Sequence, residues 1–196
     1  MPPFVALTGG LGAGKSTALA ALERLGAAVI SSDAIVHELY LSDQVRDAVS
    51  ARFGADVAPG GVVDRSALAA RAFATDEDRA WLEQLLWPLV HARVADWRER
   101  EESAQHGRAP RALVVEVPLL FEAGSDHSYD ATIAIIADET IREARANARG
   151  HHAVAAREAR QLSQQEKAAR STFVVRNDGS IEELESQLSS ILAMLT

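Results

Sequence analysis

Cysteine is absent from this chain of 196 residues. Its absence excludes disulfide bridges and thiolate zinc sites, and it is compatible with a cytoplasmic location. No apolar run approaches the roughly 18 residues of a membrane span. The first residues also lack the basic segment that opens a signal peptide. The sequence therefore predicts a cytoplasmic protein with no membrane partner.

Lysine is scarce as well. Of the 20 Lys and Arg residues, only Lys15 and Lys167 are lysines, and Asp and Glu number 28, which gives a net charge of −8. Duplex nucleic acid is bound by a basic surface, so an acidic chain predicts no nucleic-acid partner. The hydrophobic content of 47% is ordinary for a globular protein. The length and composition together predict a single domain.

Short apolar runs alternate with helical patterns along most of the chain. Such alternation is typical of an α/β fold with a doubly wound parallel sheet and a layer of helices on each face. Residues 42–105 look helical instead, and a simple crossover between parallel strands needs only about a dozen residues. They predict an inserted helical subdomain. The strands are predicted at residues 4–8, 27–31, 112–118, 130–137 and 172–177.

The segment GGLGAGKS, which begins at Gly9, is a complete P-loop pattern between a predicted strand and a predicted helix. Glycines let backbone N–H groups converge on phosphate oxygens, and the helix adds its positive N-terminal end. Lys15 is expected to reach the β- and γ-phosphates of ATP, and the Ser16 hydroxyl to ligate Mg²⁺. The predicted nucleotide-binding residues of this loop are Gly10, Leu11, Gly12, Ala13, Gly14, Lys15, Ser16 and Thr17.

A P-loop by itself is shared by switch GTPases, ATP-driven motors and small-molecule kinases. The Asn/Thr-Lys-x-Asp stretch with which GTPases read guanine is missing, because neither lysine has that context. Residues 142–176 hold seven arginines and Lys167 against three acids. This excess is typical of a lid that closes over a triphosphate, although a solvated helix face is the alternative. Arg145 and Arg149 share one face of the predicted helix by their spacing.

Several segments, read in order, resemble the dephospho-coenzyme A kinase family. They are VALTGGLGAGKST, VISSDAIVHEL, VVDRSALAARAF, LEQLLWPLV, VVEVPLLFEAG and RQLSQQEKAARSTFVVRNDGSIEEL. The resemblance implies a P-loop kinase that uses ATP and Mg²⁺ to phosphorylate the ribose 3′-hydroxyl of dephospho-CoA, the final step of coenzyme A biosynthesis. It also implies a nucleotide-binding core at about 1–41, 110–138 and 172–196, a helical substrate subdomain at about 42–109 and a lid at about 139–171.

The same resemblance places the catalytic aspartate of the family at Asp33. A helix N-cap is the alternative role for that residue. Arg145 and Arg149 are expected to contact the ATP phosphates, Arg145 as a catalytic group. Asn177 is expected to contact adenine, with a simple turn residue as the alternative.

The acceptor, dephospho-CoA, is the small-molecule partner that the resemblance implies. Arg65, Trp87, Pro118, Leu119 and Leu120 are expected to shape its site, with a structural role for Arg65 beside Asp64 as the alternative. The family usually has Asp-Ala-Asp where this chain has SSD, and His-Pro where it has WP. It also usually has Ala-Asp where this chain has ST before the last strand. Another small P-loop nucleoside or nucleotide kinase, or a weakly active nucleotide-binding paralogue, therefore remains open. A monomer or weak homo-oligomer is expected.

Overall fold

The computed structural model describes residues 1–103, 109–148 and 161–195. The chain divides into two compact units. One consists of Met1–Ser31 with Arg98–Thr196, and the other of Ser32–Trp97. The predicted assignment of separate parts of the chain to nucleotide, acceptor and lid stays a prediction.

A parallel sheet of five strands forms the centre of the first unit, in the order β2-β3-β1-β4-β5. The sheet confirms the predicted fold class. Pro118 has no N–H group to give to a ladder, and the third strand ends two residues before it, earlier than predicted. The strands are β1 (Phe4–Gly9), β2 (Ala28–Ser31), β3 (Leu113–Glu116), β4 (Ala131–Ile136) and β5 (Phe173–Arg176).

The helices begin close to the positions that their capping residues predict. Ser163 and Glu166 form a reciprocal capping box, and the Ser180 hydroxyl accepts from the Glu183 N–H over 3.2 Å. Among the described residues the helices are α1 (Lys15–Arg24), α2 (Ser32–Leu39), α3 (Asp43–Phe53), α4 (Arg65–Ala72), α5 (Asp76–Ser103), α6 (Glu139–Ala148), α7 (Gln164–Arg170) and α8 (Ile181–Leu195). The sequence GHH at residues 150–152 predicts a turn, and these residues lie outside the described ones. None of the described helices is long and apolar enough to span a membrane.

The central strand β1 is buried on both faces, as its continuous apolar run predicts. Val5 and Leu7 belong to the large hydrophobic core, which also contains residues of α1 and α8 such as Leu22 and Leu188. Ala6 belongs to a separate small cluster. Because side chains alternate along a strand, the two clusters lie on opposite faces of the sheet. The strand is thereby held firmly at the point where the P-loop follows it.

The second unit, Ser32–Trp97, is helical and has its own buried residues. The rings of Phe53 and Trp81 meet edge to face with centroids 5.4 Å apart. Arg52 pairs with Asp78 over 2.8 Å, and this hydrogen-bonded pairing lowers the pKa of Asp78. The Thr75 hydroxyl also donates a hydrogen bond to that carboxylate at the start of α5, which lowers the pKa of Asp78 further. These contacts hold α3 and the start of α5 together.

Candidate active site

The P-loop leaves the carboxyl end of β1, which lies between β3 and β4 in the sheet. Lys15 begins α1, and its Nζ donates to the carbonyl oxygens of Gly9 and Gly10, each over 3.1 Å. The N-cap residue, Gly14, gives α1 no side-chain cap, and the first turn contains no acidic residue. The N-terminal end of α1 therefore suits an anion, because the helix dipole places partial positive charge there.

Gly12 and Gly14 of the loop have positive φ angles, and at each of them the missing side chain makes room for a neighbour. At Gly12, with φ 74°, a Cβ would lie 2.5 Å from the carbonyl oxygen of Arg142. At Gly14, with φ 94°, it would lie 2.1 Å from Nδ2 of Asn177. Neither position accepts a side chain without displacing these partners. The sequence signature of the loop thus reflects close packing as well as phosphate binding.

Arg142 and Asn177 hold the P-loop through its backbone carbonyls. Nε of Arg142 donates to the Leu11 oxygen over 2.9 Å, and Nδ2 of Asn177 donates to the Ala13 oxygen over 2.8 Å. Both side chains are buried. Sequence reasoning missed Arg142. Its only signal was a position on α6 one turn before Arg145, the arginine that was singled out.

Arg145 extends this support by one further contact. Its Nη1 donates to the backbone oxygen of Asn177 over 3.0 Å. The structure therefore brings Arg145 and Asn177 together beside the P-loop. The predicted contacts of Arg145 with phosphate and of Asn177 with adenine stay predictions. Arg149 lies outside the described residues.

Lys167, which was counted in the basic excess of residues 142–176, is a buried charge. Its side chain is 0% exposed, and its Nζ lies 3.0 Å from Oε1 of Glu122. It also donates to the carbonyl oxygen of Pro118. Burial lowers the pKa of Lys167, and the hydrogen bond and charge of Glu122 oppose that shift. The cation therefore belongs to the interior of the first unit.

The loop that follows β3 contains three of the predicted acceptor residues. Pro118 and Leu119 are partly exposed, whereas Leu120 is fully buried in a cluster with Ala6 and Phe121. A contribution of Leu120 to an acceptor site would therefore act through the shape of the loop. Glu116, the last residue of β3, is 9% exposed at the sheet edge from which the P-loop also leaves.

The remaining predicted site residues lie in the helical unit. Asp33 is exposed in the first turn of α2. The helix begins at Ser32, so Asp33 is not its N-cap. Arg65 begins α4 after Asp64, whose carboxylate caps that helix by accepting from the Ser66 N–H over 2.9 Å. Trp87 is 38% exposed on α5.

The positive charge of Arg65 acts on Tyr40. Burial raises the pKa of the Tyr40 hydroxyl, and the nearby guanidinium of Arg65 works against that rise. Arg65 and the half-buried phenol of Tyr40 therefore interact electrostatically within the helical unit. The interaction with Tyr40 is an alternative to the predicted structural role of Arg65 beside Asp64, whose carboxylate caps α4.

The donor set limits how a metal ion would be held. No group of three or more His, Cys, Asp or Glu suited to a metal occurs in the part of the chain that the structure describes. The Ser16 hydroxyl is exposed in the first turn of α1. One hydroxyl supplemented by phosphate oxygens suits Mg²⁺, which keeps several waters and uses few protein ligands. The residues present therefore fit a magnesium ion that arrives with a nucleotide.

Known proteins of one family match nearly the whole chain. The family described as "CoaE: Dephospho-CoA kinase" matches residues 3–183. This chain belongs to the dephospho-CoA kinase family. A dephospho-CoA kinase from Deinococcus radiodurans is 38% identical over 99% of this chain and 93% of its own. One from Chlorobaculum tepidum is 37% identical over 100% of this chain and 96% of its own.

A solved structure of similar sequence shares the fold. The protein TT1252 from Thermus thermophilus superposes with a TM-score of 0.84 and 32% identity, and the match covers 100% of this chain and 98% of the other. The predicted P-loop kinase fold and the family resemblance are both confirmed. The match covers the residues of both units.

Proposed function

We propose that this protein transfers the γ-phosphoryl group of ATP to the ribose 3′-hydroxyl of dephospho-CoA, which yields coenzyme A and ADP. The observation that carries the proposal is the P-loop, with Lys15 at the uncapped N-terminus of α1, in a chain of the dephospho-CoA kinase family. The named relatives support the acceptor, since they match this chain from end to end. The reaction is the final step of coenzyme A biosynthesis.

The proposed role of the P-loop is to bind and orient the triphosphate. Backbone N–H groups of residues 10–17 donate to phosphate oxygens, and the Nζ of Lys15 moves from the carbonyls of Gly9 and Gly10 to the β- and γ-phosphates. Charge in phosphoryl transfer is spread over the γ-phosphate oxygens, so a fixed cation there stabilises the transition state. Arg145 is the proposed second cation.

Asp33 is the proposed general base. Its carboxylate accepts the proton of the 3′-hydroxyl while that oxygen forms a bond to the γ-phosphorus, and the bond from this phosphorus to the β–γ bridging oxygen breaks. ADP leaves with the bridging oxygen. Mg²⁺, held by Ser16 together with phosphate oxygens, would neutralise charge on the β- and γ-phosphates. Asp33 is exposed in the first turn of α2, where a substrate hydroxyl has access to it.

Residues of each unit are proposed, separately, as acceptor-binding candidates. Arg65 and Trp87 are the exposed candidates of the helical unit, and Pro118 and Leu119 are the partly exposed ones of the loop after β3. A monomer or weak homo-oligomer in the cytoplasm is proposed for the working protein. Asn177 is proposed to lie beside adenine while its amide supports the P-loop.

The proposal is tested by coupling ADP release to a spectrophotometric readout, with dephospho-CoA compared against a panel of nucleosides and nucleotides. We expect saturable turnover with dephospho-CoA alone. Asp33→Asn should lose at least about a hundredfold in kcat and keep its affinity for ATP, because general-base contributions are typically of this size. The control is Asp47→Asn, which neutralises an exposed carboxylate paired with Arg46 on α3.

Each alternative has its own outcome in this assay. Turnover with a nucleoside or nucleotide in place of dephospho-CoA would show a different small-molecule kinase. ATP binding without turnover on any acceptor would show a nucleotide-binding paralogue. Wild-type kcat in Asp33→Asn, with Asp47→Asn also unchanged, would remove Asp33 from the mechanism.

A further inference from the structure

A buried lysine lies under the loop that follows β3. Lys167 is one of only two lysines in the chain, and it has no exposed surface. Burying an ammonium group costs free energy unless the group is paired and hydrogen-bonded. Replacing a buried ion pair by apolar side chains of similar volume often leaves a protein equally stable. A buried cation at this position therefore suggests a role beyond filling space, and its partners show what it holds.

Among the described residues, the Lys167 side chain is held by two residues of this loop. Its Nζ donates to the backbone oxygen of Pro118 and pairs with Oε1 of Glu122 over 3.0 Å. The same Glu122 oxygen accepts from the Leu162 N–H over 2.8 Å, just before the capping box of α7. The Thr8 hydroxyl, one residue before the end of β1, also lies 3.5 Å from the Pro118 oxygen.

This network joins three elements at one carbonyl group. The end of β1 leads into the P-loop, and α7 contributes Lys167, while the loop of residues 117–124 carries Pro118 and Glu122. Contacts of Pro118 and Glu122 with the same cation fix both ends of the segment 118–122. Leu120 and Phe121, between them, are buried in the core cluster with Ala6. The backbone of Pro118 and Leu119 is therefore held in one position relative to β1.

We propose that Lys167 is a positioning residue for the phosphoryl acceptor. With Glu122 it fixes the backbone of residues 118 and 119, so that the acceptor finds its binding surface already formed. This inference rests on the proposed function, because the role of the loop in acceptor binding belongs to that proposal. Lys167 itself does not touch the substrate, since it has no exposed surface.

The test compares two variants by steady-state kinetics with both substrates. Lys167→Met removes the cation and leaves the Glu122 carboxylate buried without it. Lys167→Met combined with Glu122→Gln removes both charges, and the Gln oxygen still accepts from the Leu162 N–H. The double variant should recover stability, because no unpaired charge stays buried. Neither variant restores the hydrogen bond to the Pro118 oxygen.

We expect the KM for dephospho-CoA to rise about tenfold in both variants, the size expected for losing one charge-assisted hydrogen bond. The KM for ATP should stay within about twofold of the wild type. The control is Leu188→Ala, which opens the other core cluster and should lower the melting temperature without a selective rise in the KM for dephospho-CoA.

A wild-type KM for dephospho-CoA in the stable double variant would overturn the proposal and leave Lys167 a purely structural residue. Equal rises in both KM values would also overturn it. If neither variant folds, the pair is needed for stability and the positioning role is rejected. If the wild-type enzyme does not use dephospho-CoA, the proposed function itself is refuted. The wild-type activity on dephospho-CoA is therefore measured first, separately from the variants.

Discussion

The contact between Gly14 and Asn177 supports a sharp stability prediction. Gly14→Ala places a Cβ on a backbone with φ 94°, which costs about 1–2 kcal/mol in the left-handed region. The new Cβ would also lie 2.1 Å from Nδ2 of Asn177 and must displace it. The displaced amide loses its 2.8 Å hydrogen bond to Ala13, which adds about 1–3 kcal/mol for a buried group. Alanine offsets part of this cost by restricting the unfolded chain.

We expect Gly14→Ala to lower the free energy of unfolding by about 2–4 kcal/mol. Asn177→Ala should lower it by about 1–3 kcal/mol, because it removes the same hydrogen bond. The double variant loses that bond only once, so its cost should fall short of the sum by about 1–3 kcal/mol. Urea denaturation with the midpoint and slope fitted together measures all three. Additivity of the two single costs within about 0.5 kcal/mol would refute the reasoning.

Two further predictions concern Arg142, which bonds the P-loop, and Asp178, which follows Asn177 in the sequence. Arg142→Ala should lower stability by about 2 kcal/mol and raise the KM for ATP, because it removes the hydrogen bond to the P-loop. Glu139→Ala removes a solvent-exposed ion-pair partner of Arg142 and keeps that hydrogen bond, so it should lower stability less and leave the KM for ATP unchanged. The Asp138 N–H donates to the Asp178 carboxylate and lowers its pKa. This carboxylate therefore stabilises the folded protein at pH values above its ordinary pKa of 3.8. The stabilisation is lost as the pH falls through the lower pKa that the group has in the folded protein. Asp178→Asn should therefore flatten the acid limb of the stability profile in circular dichroism, and an unchanged limb would contradict this assignment.

Local signals explain how much of the fold was predictable. The P-loop and the helix starts at the capping residues Ser163 and Ser180 are encoded within a few neighbouring residues, and the structure has them where the sequence places them. The third strand was predicted too long, because its apolar run continues to Pro118 although the strand pairs only to Glu116. The hydrophobic pattern of the sequence detects an apolar run, whereas hydrogen bonding to the neighbouring strands determines where the strand ends.

The supports of the candidate site were not predictable from local pattern. Arg142 bonds a residue 131 positions away, and Asn177 one 164 positions away. Both contacts depend on the sheet order, which sets β4 beside β1 and β5 beside β4. The burial of Lys167 was not predictable for the same reason, because its partner, Glu122, lies far away in the sequence.

The structure of the product tests the central claim most directly. Wild-type protein is incubated with ATP, Mg²⁺ and dephospho-CoA, and the purified product is examined by phosphorus and proton NMR. The account predicts one new phosphate monoester, on the ribose 3′-hydroxyl, formed in step with ADP, and its loss in Asp33→Asn. A phosphate on another hydroxyl, or ADP release without a phosphorylated acceptor, would contradict it.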